Sequence, residues 1–416
     1  MVHHTMPTNI NSASKASSNS HTMKQLLRHL AHLIFSGAIV GMLSACGSGP
    51  RRMPERTPDT PSISRTAPTA PPSAPYDAPD DTGPLPAPIT QAKSRWVPVR
   101  WSQLPGFGSD DLFDAWNAWL KSCERPGPTF APLCGQIRQL SIASDDEKRA
   151  WMTQRLQPYR VEPLQGVSEG LLTSYYEPVL DASRQRSATH TAPLYRPPAS
   201  LNQRKPWYTR QEIDTLPEAQ AALRDREIAY LTDPLDALVL QIQGSGRLRI
   251  TEPDGSTRLV RLAFAATNDQ PYRSVGSWLL QQGLVRDATW PGIKAWTLQN
   301  PQRVNEMLWV NPRMVFFREE AIAVQDNAQG PRGAQGVPLT AGRSIAVDPG
   351  SIPYGTPVWL ASTGLVPLQR LVLAQDTGSA ITGAVRADYY AGSGPQAGEL
   401  AGRLKQPLQL WVLWPR

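Results

Sequence analysis

Ser344-Ile-Ala-Val-Asp348-Pro-Gly350 and Arg370-Leu-Val-Leu-Ala-Gln-Asp376-Thr-Gly378 are two short apolar runs, each ending in an aspartate and a glycine turn. Apolar runs of this length, rich in Val, Ile and Leu and closed by Pro-Gly or Thr-Gly, read as buried strands. The pattern recurs outward from them, in GLLTSYYEPVL (170–180), ALVLQIQGSGRLRI (237–250), TEPDGSTRLVRLAFAA (251–266) and RMVFFRE (313–319). Many short strands between Gly/Pro turns predict a mainly β protein of two β-barrel units with some helical decoration. The decoration is legible too. Leu112, Phe113, Trp116, Trp119 and Leu120 recur at helical spacing after Ser109 or Asp110 as N-cap, and Ser144 with Glu147 forms a capping box. Shorter helices are expected at Arg210–Ala229, Val275–Gln282 and Pro301–Leu308.

The two strand-end aspartates also hold the most suggestive chemistry. Of six histidines, five lie within the first 32 residues and only His190 follows. Ser–His–Asp catalysis and multi-histidine zinc sites therefore have almost no material, and any acid–base chemistry falls to carboxylates. Residues 321–416 hold only five acids, among them Asp348, Asp376 and Asp388. A carboxyl flanked by apolar strand residues is partly desolvated, which raises its pKa toward a useful range. The plain alternative is that these aspartates cap turns. Asp376-Thr377-Gly378-Ser379 also matches the aspartic-protease signature, but those enzymes need two such carboxyls and this chain has one.

Further upstream, strand alternation in Leu238–Arg247 would put Gln241 and Gln243 on one face, beside the turn Gly244-Ser245-Gly246. Two amides there suit a hydroxyl- and acetamido-rich ligand, and Tyr175 and Tyr176 could stack on sugar rings. A solvated strand face and two core tyrosines are the bland counterparts. G-x-S-x-G is absent, so Ser245 is no nucleophile elbow.

The N-terminus places the chain. Met23 opens a basic stretch, then a 16-residue apolar run leads to Leu43-Ser44-Ala45-Cys46. The run is too short to span a bilayer and reads as a secretory signal over 1–45, with Met23 a plausible start. Its end resembles a bacterial lipobox, with Cys46 the lipidated residue. Gly47 after the cysteine points by analogy to an outer-membrane lipoprotein on the periplasmic face. Residues 46–95 read as a tether: 12 prolines fall between Gly47 and Thr90. Loss of the signal removes Lys15, Lys24 and Arg28 and no acid, leaving an excess of four positive charges. That small excess excludes a dedicated nucleic-acid binder. Cys123 and Cys134 remain, expected to pair in an oxidising compartment, with two buried thiols as the alternative.

Six motifs extend the reading: LTSYYEPVLDASR (172–184), DPLDALVLQIQGSGR (233–247), NDQPYRSVG (268–276), NPRMVFFRE (311–319), GAQGVPLTAGRSIAVDPGSIPYGTPVWL (333–360) and AQDTGSAITGAVRADYY (374–390). In these the chain resembles the membrane-bound lytic murein transglycosylase A family over roughly residues 100–416. The resemblance implies a double-psi β-barrel, barwin- and endoglucanase-like, from 96–174 and 311–416, with an inserted smaller β-barrel over 175–310 and glycan in the groove between them. It implies Asp376 as the single catalytic acid, with Asp388 and Asp348 completing a three-aspartate module and Thr377 and Gly378 at the active turn. Ser174 and Ser379 stand where the family more often has glycine. The implied reaction cleaves the β-1,4 bond between MurNAc and GlcNAc without water, leaving 1,6-anhydromuramyl ends. No cofactor or metal is implied. Peptidoglycan strands are the partner, with a lipid anchor, a monomeric chain and a place among cell-wall enzymes. The competing expectations are an inverting polysaccharide hydrolase on the same barrel and a non-catalytic wall-binding lipoprotein.

Overall fold

The computed structural model describes residues 82–166, 169–322 and 329–416. The signal segment, Cys46 and the tether as far as residue 81 lie outside the described residues. Strand pairing starts earlier than the proline count suggests. β1 (Ile89–Thr90) and β2 (Ser94–Pro98) pair with each other, and β2 pairs with β3 (Leu156–Pro163). The expected tether boundary at 95 is thus corrected: Trp96 is fully buried, and its strand begins at Ser94.

β4 (Gly170–Glu177) belongs to the same sheet as β3. The chain then leaves that sheet. β5 (Val179–Ser183), β6 (Ala192–Tyr195), β7 (Glu227–Leu231), β8 (Ser245–Thr251), β9 (Thr257–Thr267) and β10 (Val315–Ala321) form a second, six-stranded sheet in the order β10-β9-β8-β5-β7-β6. It returns as β11 (Ser344–Val347), β12 (Pro357–Ser362), β13 (Leu368–Asp376), β14 (Arg386–Ser393) and β15 (Gln406–Pro415). The sheets change over between Glu177 and Val179, and back after Ala321, rather than at 175 and 310 as the motifs suggest.

The first sheet closes on itself. β15, β12, β13, β11, β14 and β4 pair in succession, and β4 pairs back onto β15, with β11–β13 and β14–β4 parallel. This closed barrel is the larger β-barrel that the resemblance leads one to expect. Its strands are apolar on both faces because both are covered. Val358, Leu360, Val372, Ala374, Leu410 and Val412 fill the interior. Their alternating neighbours Trp359, Ala361, Leu371, Leu373, Trp411 and Leu413 pack under a helical layer.

That layer is α1 (Phe113–Ser122), α2 (Cys134–Gln139) and α3 (Asp145–Arg155). The Ser144–Glu147 capping box starts α3 as expected. The expected cap of the first helix is not formed. Asp110 is instead buried, accepting from Arg343 (2.7 Å) and from the Leu371 N–H (2.8 Å), so it fastens the layer to the barrel. Cys123 and Cys134 form a disulfide within the layer.

In the second unit the expected helix 210–229 breaks at Pro217 into α4 (Arg210–Thr215) and α5 (Pro217–Leu223), and the chain continues into β7. The larger correction is α6 (Pro234–Gln243), where strand alternation was expected. Asp233 caps it by accepting the Leu235 N–H, Pro234 takes the first turn, and Gly244 ends it at φ 79°. Leu235, Leu238 and Ile242 face one apolar cluster, and Ala237 and Leu240 the core of the second sheet. α7 (Val275–Gln281), α8 (Trp290–Gln299) and α9 (Val304–Trp309) build the first of these clusters, and α10 (Pro395–Arg403) lies on the barrel.

Candidate active site

Three neighbouring barrel strands deliver the module. β11 is central, and Ala346 on it pairs with Asp376 of β13 on one side and Asp388 of β14 on the other. Two aspartates twelve positions apart in sequence thereby flank one alanine. β4 is the next strand, and its Thr173 and Tyr175 stand opposite Asp388 and Tyr390.

Asp376 is half-buried at the strand end. One oxygen accepts the Tyr175 hydroxyl at 2.8 Å, and the other the Ala334 N–H at 2.9 Å. Glycine lets the Ala334 loop come this close, since a Cβ at Gly333 would lie 2.4 Å from the Gln375 carbonyl oxygen. Among the described residues no cation pairs with Asp376. Loss of bulk water dominates and raises its pKa above the ordinary aspartate value, with help from Asp388, although its hydrogen bonds from Tyr175, Thr377 and Ala334 oppose the shift. Burial and the Asp376 charge also push the Tyr175 hydroxyl well up, so it remains a donor.

Asp388 is raised by the same desolvation, opposed by the Thr173 hydroxyl it accepts and by the Arg386 charge. Asp348 is different. Burial by itself would raise it, but Lys93 (2.8 Å) and the backbone N–H groups of Gly383 (2.8 Å) and Gly350 (3.0 Å) outweigh that and hold it below the usual range. It pins the turn after β11 and does not line the groove.

Asp376 and Asp388 open into a groove of about 780 Å³ whose far wall comes from the second unit. Tyr175, Ser245, Thr377 and Gly378 line it. Gln241 and Gln243 line it too, but as the end of a helix and with their amides engaged. Gln241 accepts from the buried Arg210 (2.5 Å), and Gln243 from the Tyr176 N–H (3.0 Å). Two expected ligand residues fall outside it. The Tyr176 ring packs on α10 at Gly398, and Gly246 is buried where a Cβ would strike Leu240 at 2.1 Å. Sequence reasoning missed Arg125, Phe264, Tyr272 and Arg332 along the groove and Ala334 at its acid. Ser379 accepts its place readily: among the described residues only Asp225 and Asp269 are non-glycine positions with positive φ. No cluster of three or more His, Cys, Asp or Glu among the described residues is placed to ligate a metal ion.

A family model described as the MltA specific insert domain matches residues 171–318, and one described as the 3D domain matches 343–414. The membrane-bound lytic murein transglycosylase A of Vibrio cholerae is 33% identical over 303 residues, covering 68% of this chain and 76% of that protein. The chain belongs to the membrane-bound lytic murein transglycosylase A family. Among solved structures, a lytic transglycosylase of Burkholderia pseudomallei is 41% identical, covering 80% of this chain and all of that one, with a TM-score of 0.55. The family's Escherichia coli member with bound chitohexaose is 25% identical over 80% of this chain and 95% of that one, with a TM-score of 0.61. The insert match begins inside β4 and ends inside β10, so the family's insert and the second sheet are nearly the same segment. Family membership decides for an enzyme over a wall-binding protein without activity.

Proposed function

We propose that this lytic murein transglycosylase works through one carboxyl group, Asp376, on peptidoglycan strands lying in the groove between barrel and insert. The observation that carries the reading is a groove-facing carboxyl with no cation paired to it among the described residues, held toward its protonated form and fixed by Tyr175 and the Ala334 N–H. Protonated Asp376 gives its proton to the oxygen joining muramyl C1 to the next glucosamine, and the C1–O bond breaks. The resulting carboxylate takes the proton of the muramyl 6-hydroxyl as that oxygen bonds to C1. The proton given up stays on the free 4-hydroxyl and is replaced by the one from the 6-hydroxyl, so Asp376 ends as it began, a 1,6-anhydro ring is formed, and no water enters. Tyr175 and Ala334 hold the carboxylate between the two transfers.

Asp388 supports the site through its charge, and Asp348 supports it by shaping the turn. Tyr175, Ser245, Thr377 and Gly378 are proposed to contact glycan, with Gln241 and Gln243 bordering the groove. That the Escherichia coli relative was solved with bound chitohexaose supports a glycan ligand. No described helix is long and apolar enough to cross a membrane. The lipobox-like end at Cys46 supports a lipid anchor there, at the periplasmic face of the outer membrane.

Digestion of purified sacculi followed by mass spectrometry tests the reaction. Anhydromuramyl ends are expected. Reducing ends carrying oxygen from labelled water would refute it and favour a hydrolase with Asp388 as base.

A further inference from the structure

Three cations at the groove are half-buried or ion-paired, and of these Arg313 donates to the Gln270 carbonyl at 3.2 Å. Arg318 is paired with Glu320 (2.8 Å), and Arg386 donates to the Thr173 hydroxyl beside Asp388. Arg125 and Arg332 are different. Both are exposed, both line the groove, and among the described residues neither guanidinium meets a carboxylate. They converge on one residue. Arg332 Nη1 donates to the Gly336 carbonyl at 3.1 Å, and a side chain at Gly336 would meet Arg125 Nη1 at 2.9 Å. Gly336 holds φ at 85° and stays bare between them.

The pair is also tied to the acid. Arg332 and Gly336 bracket Ala334, whose N–H binds Asp376. Arg125 follows Cys123, which the disulfide fixes to Cys134. The Gln335 amide fastens that segment to the loop through the Ser122 hydroxyl (3.2 Å) and the Arg125 carbonyl (3.2 Å). Two like charges brought to one glycine at the groove repel one another and attract a carboxylate, which guanidinium forks bind in bidentate fashion.

We infer that Arg125 and Arg332 form a carboxylate-binding subsite that recognises the peptide stem on the muramyl lactyl arm, making stem-bearing murein the preferred strand. The inference rests on the groove being the glycan site. The stem leaves the glycan at muramyl C3, away from the bond at Asp376, so its free carboxylates can reach the groove edge without displacing the sugar.

Equilibrium binding by the full chain carrying Asp376→Asn reads the preference without turnover, so a wrong assignment of the chemistry would show in product analysis and leave this result readable. The probes are soluble stem-bearing strands and the same strands stripped by an amidase, which keep the lactyl carboxylate. Stem-bearing strands are expected to bind about tenfold more tightly, with the difference shrinking as salt is raised. Adding Arg125→Gln and Arg332→Gln should bring the ratio to within about twofold, and lysine at both positions should restore part of it. Equal affinity for the two strands before the arginines are changed would overturn the inference. So would a double variant that weakens both strands alike, since the pair would then read the lactyl group or the sugar.

Discussion

β11 and β13 lie side by side in parallel; β13 ends in Asp376, β11 is followed at once by Asp348, and a turn follows each. Their carboxyls are nevertheless opposite in kind. Asp348 is 3% exposed, but Lys93 and two backbone N–H groups keep it charged. Asp376 faces a hydroxyl, two backbone N–H groups and another carboxyl, and among the described residues no cation, so desolvation wins. Protonation is therefore decided by what faces the carboxyl across the barrel, and the strand-Asp-turn grammar alone does not distinguish a raised carboxyl from a turn anchor. Glu177 marks the limit of the second kind. It is wholly buried between Arg247 (2.7 Å) and Arg261 (2.5 Å), joining the end of β4 to the insert.

Substitutions break this comparison at each point. Asp376→Asn keeps the shape and removes the exchangeable proton, so turnover of sacculi should fall about 10³-fold while glycan binding persists. The same change should not destabilise the fold at neutral pH. A raised folded-state pKa means the folded chain holds the proton more tightly, so ionised Asp376 costs stability above its unfolded pKa. Thermal melts at pH 7 check this, and a lower melting point would contradict it. Glu177→Gln leaves Arg247 and Arg261 buried without their shared carboxylate. A loss of about 3–5 kcal/mol is expected in denaturant unfolding.

Asp348→Asn should cost about 1–2 kcal/mol, because its partner Lys93 is half exposed and screened. Activity should stay within about threefold of the parent, by analogy with changes remote from the reacting atoms. The sign with pH is opposite to that of Asp376. A lowered folded-state pKa contributes stability above the unfolded value and loses it as pH falls through the folded one, so parent and variant should converge in acid. Tyr175→Phe removes a hydrogen bond that favours the carboxylate form of Asp376. The basic limb of the pH–rate profile should move up, with kcat down about tenfold, worth about 1.4 kcal/mol.

Much of the fold was legible because strand and turn residues announce themselves locally. The barrel strands, the Ser144 capping box and the acids Asp376 and Asp388 all carry local signals. α6 was misread because its apolar residues face two different cores, which fills in the gaps of the helical pattern and leaves an alternation that mimics a strand. Its Asp233-Pro234 start and Gly244 end were the available signal. The different fates of the aspartates were not legible: Lys93 lies 255 positions from Asp348, and only the folded barrel brings them together. Arg125 and Arg332 likewise gain meaning only when Gly336 draws them to one place.

Carboxyl-carbon NMR titration, with Asp376 and Asp348 assigned by their Asn variants, tests the contrast most directly. Asp376 should titrate above the ordinary aspartate value and Asp348 below it. An Asp376 midpoint at or below that of Asp348 would contradict the assignment of the acid.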